Sequence, residues 1–320
     1  MANIKADLQG FQNSFARFNG STYENVSRFD IFCSVLSIGA AGPIDLIYYG
    51  WRGLPMRLCD SFKIPGFVES KRGSLCTSKA FDDLIQSEKT TSTYWLGMAF
   101  TKLVAGRRLR VPWLCHVERL IDQGVLVPVS GTYKRGDLVG KDINESWHVF
   151  ESKGRSHNIN KDTINYAKSQ ASRNILINGV PPSTASASIT RLFTKPISVE
   201  LIDPTINDEE MNYWEVNEKE FFSAYYEPLI RHLSERKRIS TRVFGIEFDV
   251  TETEEFGKGI WVGLAKIILE KPDNAPSIAS HLYEIFDGHA SRDTDIIQNE
   301  KYSIGYDGVI LGKGLPLSQY

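Results

Sequence analysis

Residues 136–153 read GDLVGKDINESWHVFESK, and this stretch constrains the fold of the chain more than any other. Asp137 opens a short apolar run, a polar turn follows, and a longer apolar run ends in Glu151 and, two residues on, Lys153. Apolar runs of this length, joined by a polar turn, are typical of adjacent antiparallel strands. Because side chains alternate along a strand, Glu151 and Lys153 are predicted to share one face with Val149.

The charged residues of this stretch indicate a metal site. A charged pair on an apolar strand is costly to bury unless it is paired or binds a metal. Asp137, near the end of the neighbouring strand, is expected close to Glu151, and two carboxylates at that separation repel. Mg²⁺ (or Mn²⁺) removes the conflict, because Mg²⁺ is held by one or two carboxylates with water and phosphate oxygens. Lys153 would then orient or deprotonate the attacking water and stabilise charge developing on phosphorus.

The composition is that of a globular protein. The chain has 320 residues, of which 42% are hydrophobic and 24% charged. This length suffices for one large domain or two ordinary ones, and the composition excludes a mainly disordered chain. The cysteines show no CxxC or Cys/His spacing, so neither a zinc site nor a disulfide framework is predicted. These are Cys33, Cys59, Cys76 and Cys115.

The N-terminal residues, MANIKADLQGFQNSF, are polar and contain no apolar core of a secretory signal. The longest apolar-leaning stretch, 31–51, is interrupted by Ser34, Ser37, Pro43 and Asp45. It is too broken to cross a bilayer. We therefore predict a cytoplasmic protein with no membrane partner.

Charge is distributed unevenly along the chain. Residues 101–180 contain 13 Lys and Arg against 7 Asp and Glu, a net charge of +6, whereas residues 181–320 carry a net charge of −9. A positive field around the predicted site suits a polyanionic substrate, with ordinary surface variation as the alternative and, for the arginines at a helix end, the helix dipole. The residues predicted to contact backbone phosphates are Arg107, Arg108, Arg110, Lys134, Arg135, Arg155 and Arg173.

Hydrophobic periodicity predicts the order of the elements. The predicted helices span 6–18, 78–88, 93–108, 111–122, 160–177 and 218–236. The predicted strands span 125–129, 133–139, 146–152, 187–202, 242–250 and 308–311, and residues 259–269 fit a strand or a helix. The middle of the chain thus reads as helix, three-stranded meander, helix and strand.

Gly136 and Asp137, followed after a turn by Glu151, Lys153 and a glycine, resemble the PD-(D/E)xK nuclease superfamily of restriction-endonuclease-like folds. Gly136 stands in the place of the proline of the family name. The order of elements over about 92–203 also matches that core. The resemblance implies an α/β fold with a mixed central sheet flanked by helices and with N- and C-terminal additions. It also implies that Gln170, on the following helix, supports the active site.

The resemblance further implies a Mg²⁺-dependent nuclease that hydrolyses DNA phosphodiester bonds, as an endonuclease in bacterial defence, restriction or repair. A homodimer and other subunits of a defence complex are the partners it suggests, besides DNA. The expected organisation is an N-terminal region of unclear role (1–90), a nuclease core (91–204) and an acidic C-terminal α/β region (205–320). RNA as a substrate remains open, because no residue pattern reports on the 2′-hydroxyl.

Several alternatives remain open at this point. Glu-x-Lys occurs three times, and Glu69 with Lys71 is a rival preceded by Asp60, although Pro65 and Gly66 interrupt its strand. The third copy, at residues 235–237, lies on a predicted helix.

Asp142 is a competing first acid, but it falls in the polar turn, where Asp is common. A plain surface salt bridge between Glu151 and Lys153 is the structural alternative to the metal site. The functional alternative is a catalytically inactive module that binds nucleic acid or a partner protein, with the acidic C-terminal third as a docking surface or a mask.

Overall fold

The computed structural model describes residues 1–38, 63–130, 136–171, 174–203, 211–253, 259–289 and 302–314. Within these residues the chain is a mixed α/β protein with one large and two smaller sheets. The strands are β1 (Ala2–Gln9), β2 (Gly20–Val26), β3 (Val68–Lys71), β4 (Ser74–Thr77), β5 (Trp113–His116), β6 (Leu126–Ser130), β7 (Leu138–Lys141), β8 (Trp147–Arg155), β9 (Asn174–Ile177), β10 (Thr184–Arg191), β11 (Ser198–Ile202), β12 (Met211–Val216), β13 (Ile239–Val243), β14 (Ile246–Glu252), β15 (Ile260–Ala265), β16 (Tyr302–Ile304) and β17 (Val309–Lys313). The α-helices are α1 (Arg28–Ser37), α2 (Lys79–Asp82), α3 (Gln86–Val104), α4 (Val117–Asp122), α5 (Lys161–Ala171), α6 (Glu218–Ser234), α7 (Lys266–Glu270) and α8 (Ala275–His289).

The large sheet has the strand order β3-β4-β1-β11-β10-β8-β7-β5, and β2 pairs with β1. Strands β5, β7 and β8 are antiparallel neighbours, whereas β8 and β10 run parallel. The crossover between β8 and β10 contains α5. The sheet is therefore mixed and flanked by helices, as expected for the central part of the chain. The smaller sheets have the orders β6-β12-β9 and β13-β14-β15-β17-β16.

Helix α3 packs against one face of β8 and β10. The buried Thr101 hydroxyl lies 3.0 Å from the Ser152 hydroxyl and 2.7 Å from that of Ser188. A Cβ added to Gly154 would lie 2.0 Å from the backbone oxygen of Thr93, well inside van der Waals contact. The absence of a side chain at Gly154 thus lets the helix backbone touch β8 directly after the predicted catalytic lysine.

Two other helices cover the opposite face. The alanines of α5, Ala167 and Ala171, pack with Ile189 of β10, which is in register with Lys153 of β8. Because residues in register point to the same side, α5 lies over the face that carries Glu151 and Lys153. Further along this face, Phe221 of α6 meets Trp147 of β8 edge-on, with ring centroids 5.1 Å apart.

The first strand of the antiparallel meander differs from the prediction. The strand predicted at 125–129 exists as β6, but it pairs with β12 in a separate sheet. The meander instead begins with β5, within residues 111–122, which were predicted to be one helix. The prediction was wrong because a short run of buried apolar residues carries no periodicity that separates a strand from a buried helix.

Four other boundaries also differ. The predicted helix at 6–18 is β1 followed by a short 3₁₀ turn, and the buried positions of β1 alternate with a period of two. The helix predicted at 160–177 ends at Ala171, and β9 follows. The single strands predicted at 187–202 and 242–250 are the pairs β10–β11 and β13–β14, because each is interrupted by a reversal of the chain.

Several predictions are confirmed. Strand β8 and helix α6 lie where the periodicity placed them, and β17 occupies the predicted C-terminal strand. Residues 259–269, left open between strand and helix, form β15 and then α7.

Two predicted elements are only partly present. The predicted helix at 78–88 forms only the short α2 and the first turn of α3. Residues 133–135 of the predicted second strand lie outside the described residues, and β7 begins at Leu138.

The strands of residues 1–90 belong to the same sheet as the central part of the chain. β1 pairs in parallel with β11, with Lys5 opposite Ser198 and Gln9 opposite Ile202. The C-terminal third shares a hydrophobic core with the central sheet, in which Phe248 and Phe221 belong to one cluster with Trp113. Among the described helices, none combines the length and the apolar character needed to cross a membrane.

Candidate metal centre

The pairing of β7 with β8 brings the two predicted acids together. Leu138 is in register with Phe150, so the next position along the antiparallel pair places Asp137 beside Glu151. The Asp137 carboxylate is fixed by the backbone N–H of Ser152, which donates to it over 2.8 Å. The Asp137 carbonyl accepts a second backbone hydrogen bond, from Val117, at 3.0 Å. Both the chain and the side chain of Asp137 are therefore held in place.

Gly136 is required by the packing at this point. A Cβ at residue 136 would lie 2.7 Å from Cγ1 of Val149 and 3.2 Å from the carbonyl oxygen of Phe150. Either contact would push the start of β7 away from β8. The glycine that precedes Asp137 thus allows its carboxylate to approach the neighbouring strand.

Glu151 is almost fully buried, with 1% of its side chain exposed. One carboxylate oxygen, Oε1, accepts a hydrogen bond from the Lys153 ammonium. The other oxygen, Oε2, is buried without a hydrogen-bond partner. Burial, followed by the negative charge of Asp137, raises the pKa of Glu151, and Lys153 and the Asp137 backbone N–H oppose this rise without cancelling it.

Lys153 connects this buried carboxylate to the solvent. Its side chain is 23% exposed, whereas that of Glu151 is 1% exposed. Both side chains lie on the face of β8 that α5 covers. The lysine therefore pairs with the buried acid and is itself partly exposed to solvent.

Gln170 belongs to α5, the helix that packs against β8 and β10 on this face. Its side-chain oxygen is buried and has no hydrogen-bond partner. A buried amide oxygen without a donor is uncommon in proteins, because it loses its hydration without compensation. Helix α5, which covers the face of Glu151, thus carries a second buried oxygen without a hydrogen-bond partner, besides Oε2 of Glu151.

These residues fit a divalent cation. The site offers the carboxylates of Asp137 and Glu151, the buried Oε2 of Glu151 lacks a donor, and the two acids repel each other. A cation would satisfy the oxygen and remove the repulsion, and Mg²⁺ is commonly bound by one or two carboxylates with water. In the part of the chain that the structure describes, no three His, Cys, Asp or Glu side chains form a single group.

Comparison of the chain with models of known protein families, with curated proteins and with solved structures finds no match. The chemistry assigned to Asp137, Glu151 and Lys153 therefore rests on the geometry and electrostatics of these residues.

The rival Glu-x-Lys copy has a different environment. Glu69 and Lys71 form an ion pair of 2.7 Å on β3, with side chains 32% and 56% exposed. The residue opposite Glu69 on β4 is Cys76, so no second acid faces it there. Asp60, the acid that precedes this copy, lies outside the described residues. Glu69 and Lys71 thus form a plain surface salt bridge, which is the arrangement considered above as the alternative to a metal site at Glu151 and Lys153.

Asp142, the competing first acid, stabilises the turn between β7 and β8. One carboxylate oxygen accepts hydrogen bonds from the backbone N–H groups of Asn144 and Ser146 at 2.9 and 2.8 Å, and the other lies 3.4 Å from His148 Nε2. Burial acts to raise the pKa of Asp142, but His148 and the backbone donors outweigh it and lower the pKa. Asp142 thus has the role expected of an aspartate in a turn.

The predicted phosphate contacts are spread over the molecule. Arg107 is 12% exposed and pairs with Asp30, and Arg110 pairs with Asp287. Arg108 faces Glu24 at 3.7 Å. All three arginines follow the end of α3 and face acids other than Asp137 and Glu151. The structure therefore does not bring them to the acids, and Lys134, Arg135 and Arg173 lie outside the described residues.

Arg155 is the predicted phosphate contact that continues the face of Glu151 and Lys153, two residues beyond Lys153 on β8. In register with it on β10 stands Arg191, which pairs with Glu200 of β11. Arg191 was not predicted from the sequence. Its register with Arg155 depends on the parallel pairing of β10 with β8 across a helix, which no pattern of neighbouring residues indicates. Lys153, Arg155 and Arg191 place three cations at one end of this face.

Proposed function

We propose that the chain is a Mg²⁺- or Mn²⁺-dependent nuclease that hydrolyses DNA phosphodiester bonds. The observation that carries the proposal is the buried, unpartnered Oε2 of Glu151 beside a second carboxylate, Asp137. The large sheet also supports it: β5, β7 and β8 are antiparallel neighbours, α3 precedes them, and the crossover with α5 leads to the parallel strand β10, an arrangement that resembles the PD-(D/E)xK core although α4, β6 and β9 interrupt the order.

Each residue has a distinct task in this proposal. Asp137 and Glu151 would hold the cation, which supplies a Lewis acid for the phosphate and lowers the pKa of a bound water. With the cation also neutralising Glu151, Lys153 would donate hydrogen bonds to the attacking water or to a phosphate oxygen. The unsatisfied oxygen of Gln170 would accept a hydrogen bond from water in the site. Arg155 and Arg191 would contact phosphates beyond the scissile bond.

A catalytically inactive, nucleic-acid-binding or partner-binding module is the second candidate. The observation that favours it is the direct Lys153–Glu151 pair, which neutralises the charge of the buried carboxylate without a metal. In this case the pair stabilises the strand, and Arg155 remains available to contact a nucleic-acid backbone. A role in defence, restriction or repair, alone or with other subunits, rests on the family resemblance only.

A cleavage assay separates the two candidates. Purified protein is incubated with supercoiled plasmid, linear duplex, single-stranded DNA and RNA, with Mg²⁺, Mn²⁺ or EDTA. We expect metal-dependent cleavage of DNA that is lost in Asp137→Asn and Glu151→Gln and kept in Glu69→Gln, the matched control on β3. Cleavage in EDTA, or cleavage that survives both Asp137→Asn and Lys153→Ala, would overturn the catalytic assignment. DNA binding without cleavage would favour the second candidate.

A further inference from the structure

A second polar site lies away from the metal centre. A cavity of about 460 Å³ opens between β2, α1, the C-terminal end of α3 and the chain around residues 303–307. Charged and aromatic side chains line it together, among them Tyr23, Glu24, Asp30, Lys102, Arg108 and Tyr306. Pockets for small organic ligands have volumes of roughly 300–1,000 Å³. The cavity is thus large enough for a nucleotide.

The deepest charges of the cavity already have partners. Asp30 caps α1 through the backbone N–H of Ser27 at 2.8 Å and pairs with Arg107 at 3.1 Å. Lys102 pairs with Asp307 at 2.9 Å, and both side chains are less than 10% exposed. These pairs form a rigid polar wall. A ligand therefore does not have to neutralise any of them.

Arg108 and Glu24 are held less tightly, because Glu24 lies 3.7 Å from Arg108 and 4.0 Å from Arg107 without a short ion pair to either. Their closest charged atoms lie 3.7 Å apart, beyond hydrogen-bond distance, and Nε of Arg108 is buried without a partner. A buried donor without a hydrogen bond is uncommon in folded proteins and calls for an explanation. The pair presents a donor and an acceptor side by side to the cavity.

The backbone that carries Arg108 is also irregular. Residues Ala105–Leu109 form a π-helical turn at the end of α3, and Arg110 follows in the left-handed conformation, with φ of 58°. Single π-helical turns are rare and occur frequently at functional sites. The turn directs two successive arginines, Arg107 and Arg108, to the lining of the cavity.

Aromatic side chains supply the remaining wall. Tyr23 is 65% exposed at the cavity, an unusual exposure for a large aromatic ring, and Phe286 and Tyr306 also line it. Tyr306 is itself held by stacking on Tyr283, with ring centroids 4.1 Å apart. Aromatic faces of this kind stack on planar heterocycles.

We propose that this cavity binds a nucleotide through its base. A nucleobase is planar and presents neighbouring hydrogen-bond donors and acceptors, which an arginine and a carboxylate recognise together. In this assignment Arg108 donates to an acceptor on the base edge, Glu24 accepts from the adjacent N–H, and Tyr23 stacks on the ring. The site is independent of the metal centre and of the proposed nuclease activity.

Calorimetric titration of the full chain in EDTA tests the assignment. The probes are the four ribonucleoside 5′-monophosphates, the corresponding nucleosides and inorganic phosphate. We expect one base to be bound both as nucleotide and as nucleoside, and phosphate alone to bind much more weakly. Binding of no probe at millimolar concentration, or equal binding of phosphate and all nucleotides, would overturn the proposal.

Variants localise the binding to the cavity. Arg108→Ala and Tyr23→Ala are each expected to weaken binding about tenfold or more, since a charged hydrogen bond and a stacked ring each contribute at least that much. Arg242→Ala, which removes an exposed arginine of β13, is the matched control and keeps full affinity. Glu151→Gln also keeps it, so failure here is distinguishable from failure of the metal site. Unchanged affinity in both cavity variants would contradict the assignment.

Discussion

The Glu151 carboxylate binds the Lys153 ammonium with one oxygen and keeps its other oxygen buried and without a hydrogen-bond partner. The same three letters, ESK, occur on β3, where Glu69 and Lys71 form an exposed ion pair. An exposed pair contributes little to stability, whereas a buried, half-satisfied acid destabilises the fold unless something binds it. The two copies therefore serve as an internal comparison for every experiment on the site.

Metal binding is expected to stabilise the wild-type chain. A cation that binds only the folded state at a hundred times its dissociation constant raises the free energy of unfolding by about 2.7 kcal/mol. We expect Mg²⁺ or Mn²⁺ to raise the thermal unfolding midpoint of the wild type and of Glu69→Gln, but not of Glu151→Gln or Asp137→Asn. Equal shifts in Glu151→Gln and wild type would place the cation elsewhere.

Stability in EDTA is expected to depend on pH through Glu151. Because folding raises the pKa of Glu151, the folded state binds more protons than the unfolded state between the ordinary and the raised pKa. The contribution of this residue to stability is therefore full below its ordinary pKa and is lost as the pH rises through the raised value. Denaturant unfolding of Glu151→Gln should show a stability gain over wild type that grows across this window and then levels off. Glu69→Gln is the control, and the same pH dependence in both variants would contradict the assignment.

Lys153 is expected to matter for chemistry more than for metal binding. A group that positions water or transfers a proton typically contributes a factor of about 10²–10⁴ in rate. We expect Lys153→Ala to lose cleavage by this factor and to keep the metal-induced rise of the unfolding midpoint. Lys71→Ala, the exposed counterpart, should cleave at the wild-type rate. Loss of folding in Lys153→Ala, measured by circular dichroism, would instead assign the lysine a structural role.

The residues that could be predicted from sequence are those whose partners are near in the chain. Asp137 and Glu151 meet because a short turn joins β7 and β8, and that turn is visible in the sequence. Phe221 and Tyr225 of α6 follow helical spacing and are buried as expected. The local sequence was sufficient to predict both features, because hydrophobic periodicity and turn-forming residues are properties of residues close together in the chain.

The remaining features depend on partners that are distant in sequence. Arg191 reaches the face of Lys153 only through the parallel pairing of β10 with β8. Arg107 was predicted to contact phosphates, but it pairs with Asp30, which lies 77 residues earlier in the chain. Strand β5 was predicted to be part of a helix, because its own residues carry no strand pattern. It is a strand because it pairs with β7. Long-range pairing of this kind leaves no periodic signal in a single sequence.

Gly154 is expected to tolerate no side chain. A Cβ would lie 2.0 Å from the carbonyl oxygen of Thr93, so Gly154→Ala must move α3 away from β8. We expect a loss of about 1–3 kcal/mol in the free energy of unfolding, together with weaker metal binding. Gly66→Ala is the control, because no atom lies within 4 Å of its added Cβ. Chemical denaturation of both variants measures the difference, and equal stability would contradict the close helix–strand contact.

The buried pair Lys102–Asp307 is expected to couple α3 to the C-terminal sheet. Removing one partner of a buried ion pair leaves the other charge uncompensated and costs about 3–5 kcal/mol. We expect Lys102→Met to lose this amount and the double variant Lys102→Met, Asp307→Asn to lose less. Lys266→Met breaks the exposed pair with Glu247 and should cost less than about 1 kcal/mol. Additive losses in the double variant would argue against the coupling.

The parallel pairing of β1 with β11 also has a consequence during protein synthesis. β1 is made before the other strands of the large sheet, and it pairs with residues 198–202, which are made much later. β11 in turn pairs with β10, the neighbour of the strand that carries Glu151. Because pairing between distant segments forms slowly, the sheet cannot be completed before Ile202 has emerged. In a nascent chain, the strand that carries Glu151 would therefore stand in an incomplete sheet until residue 202 has been made.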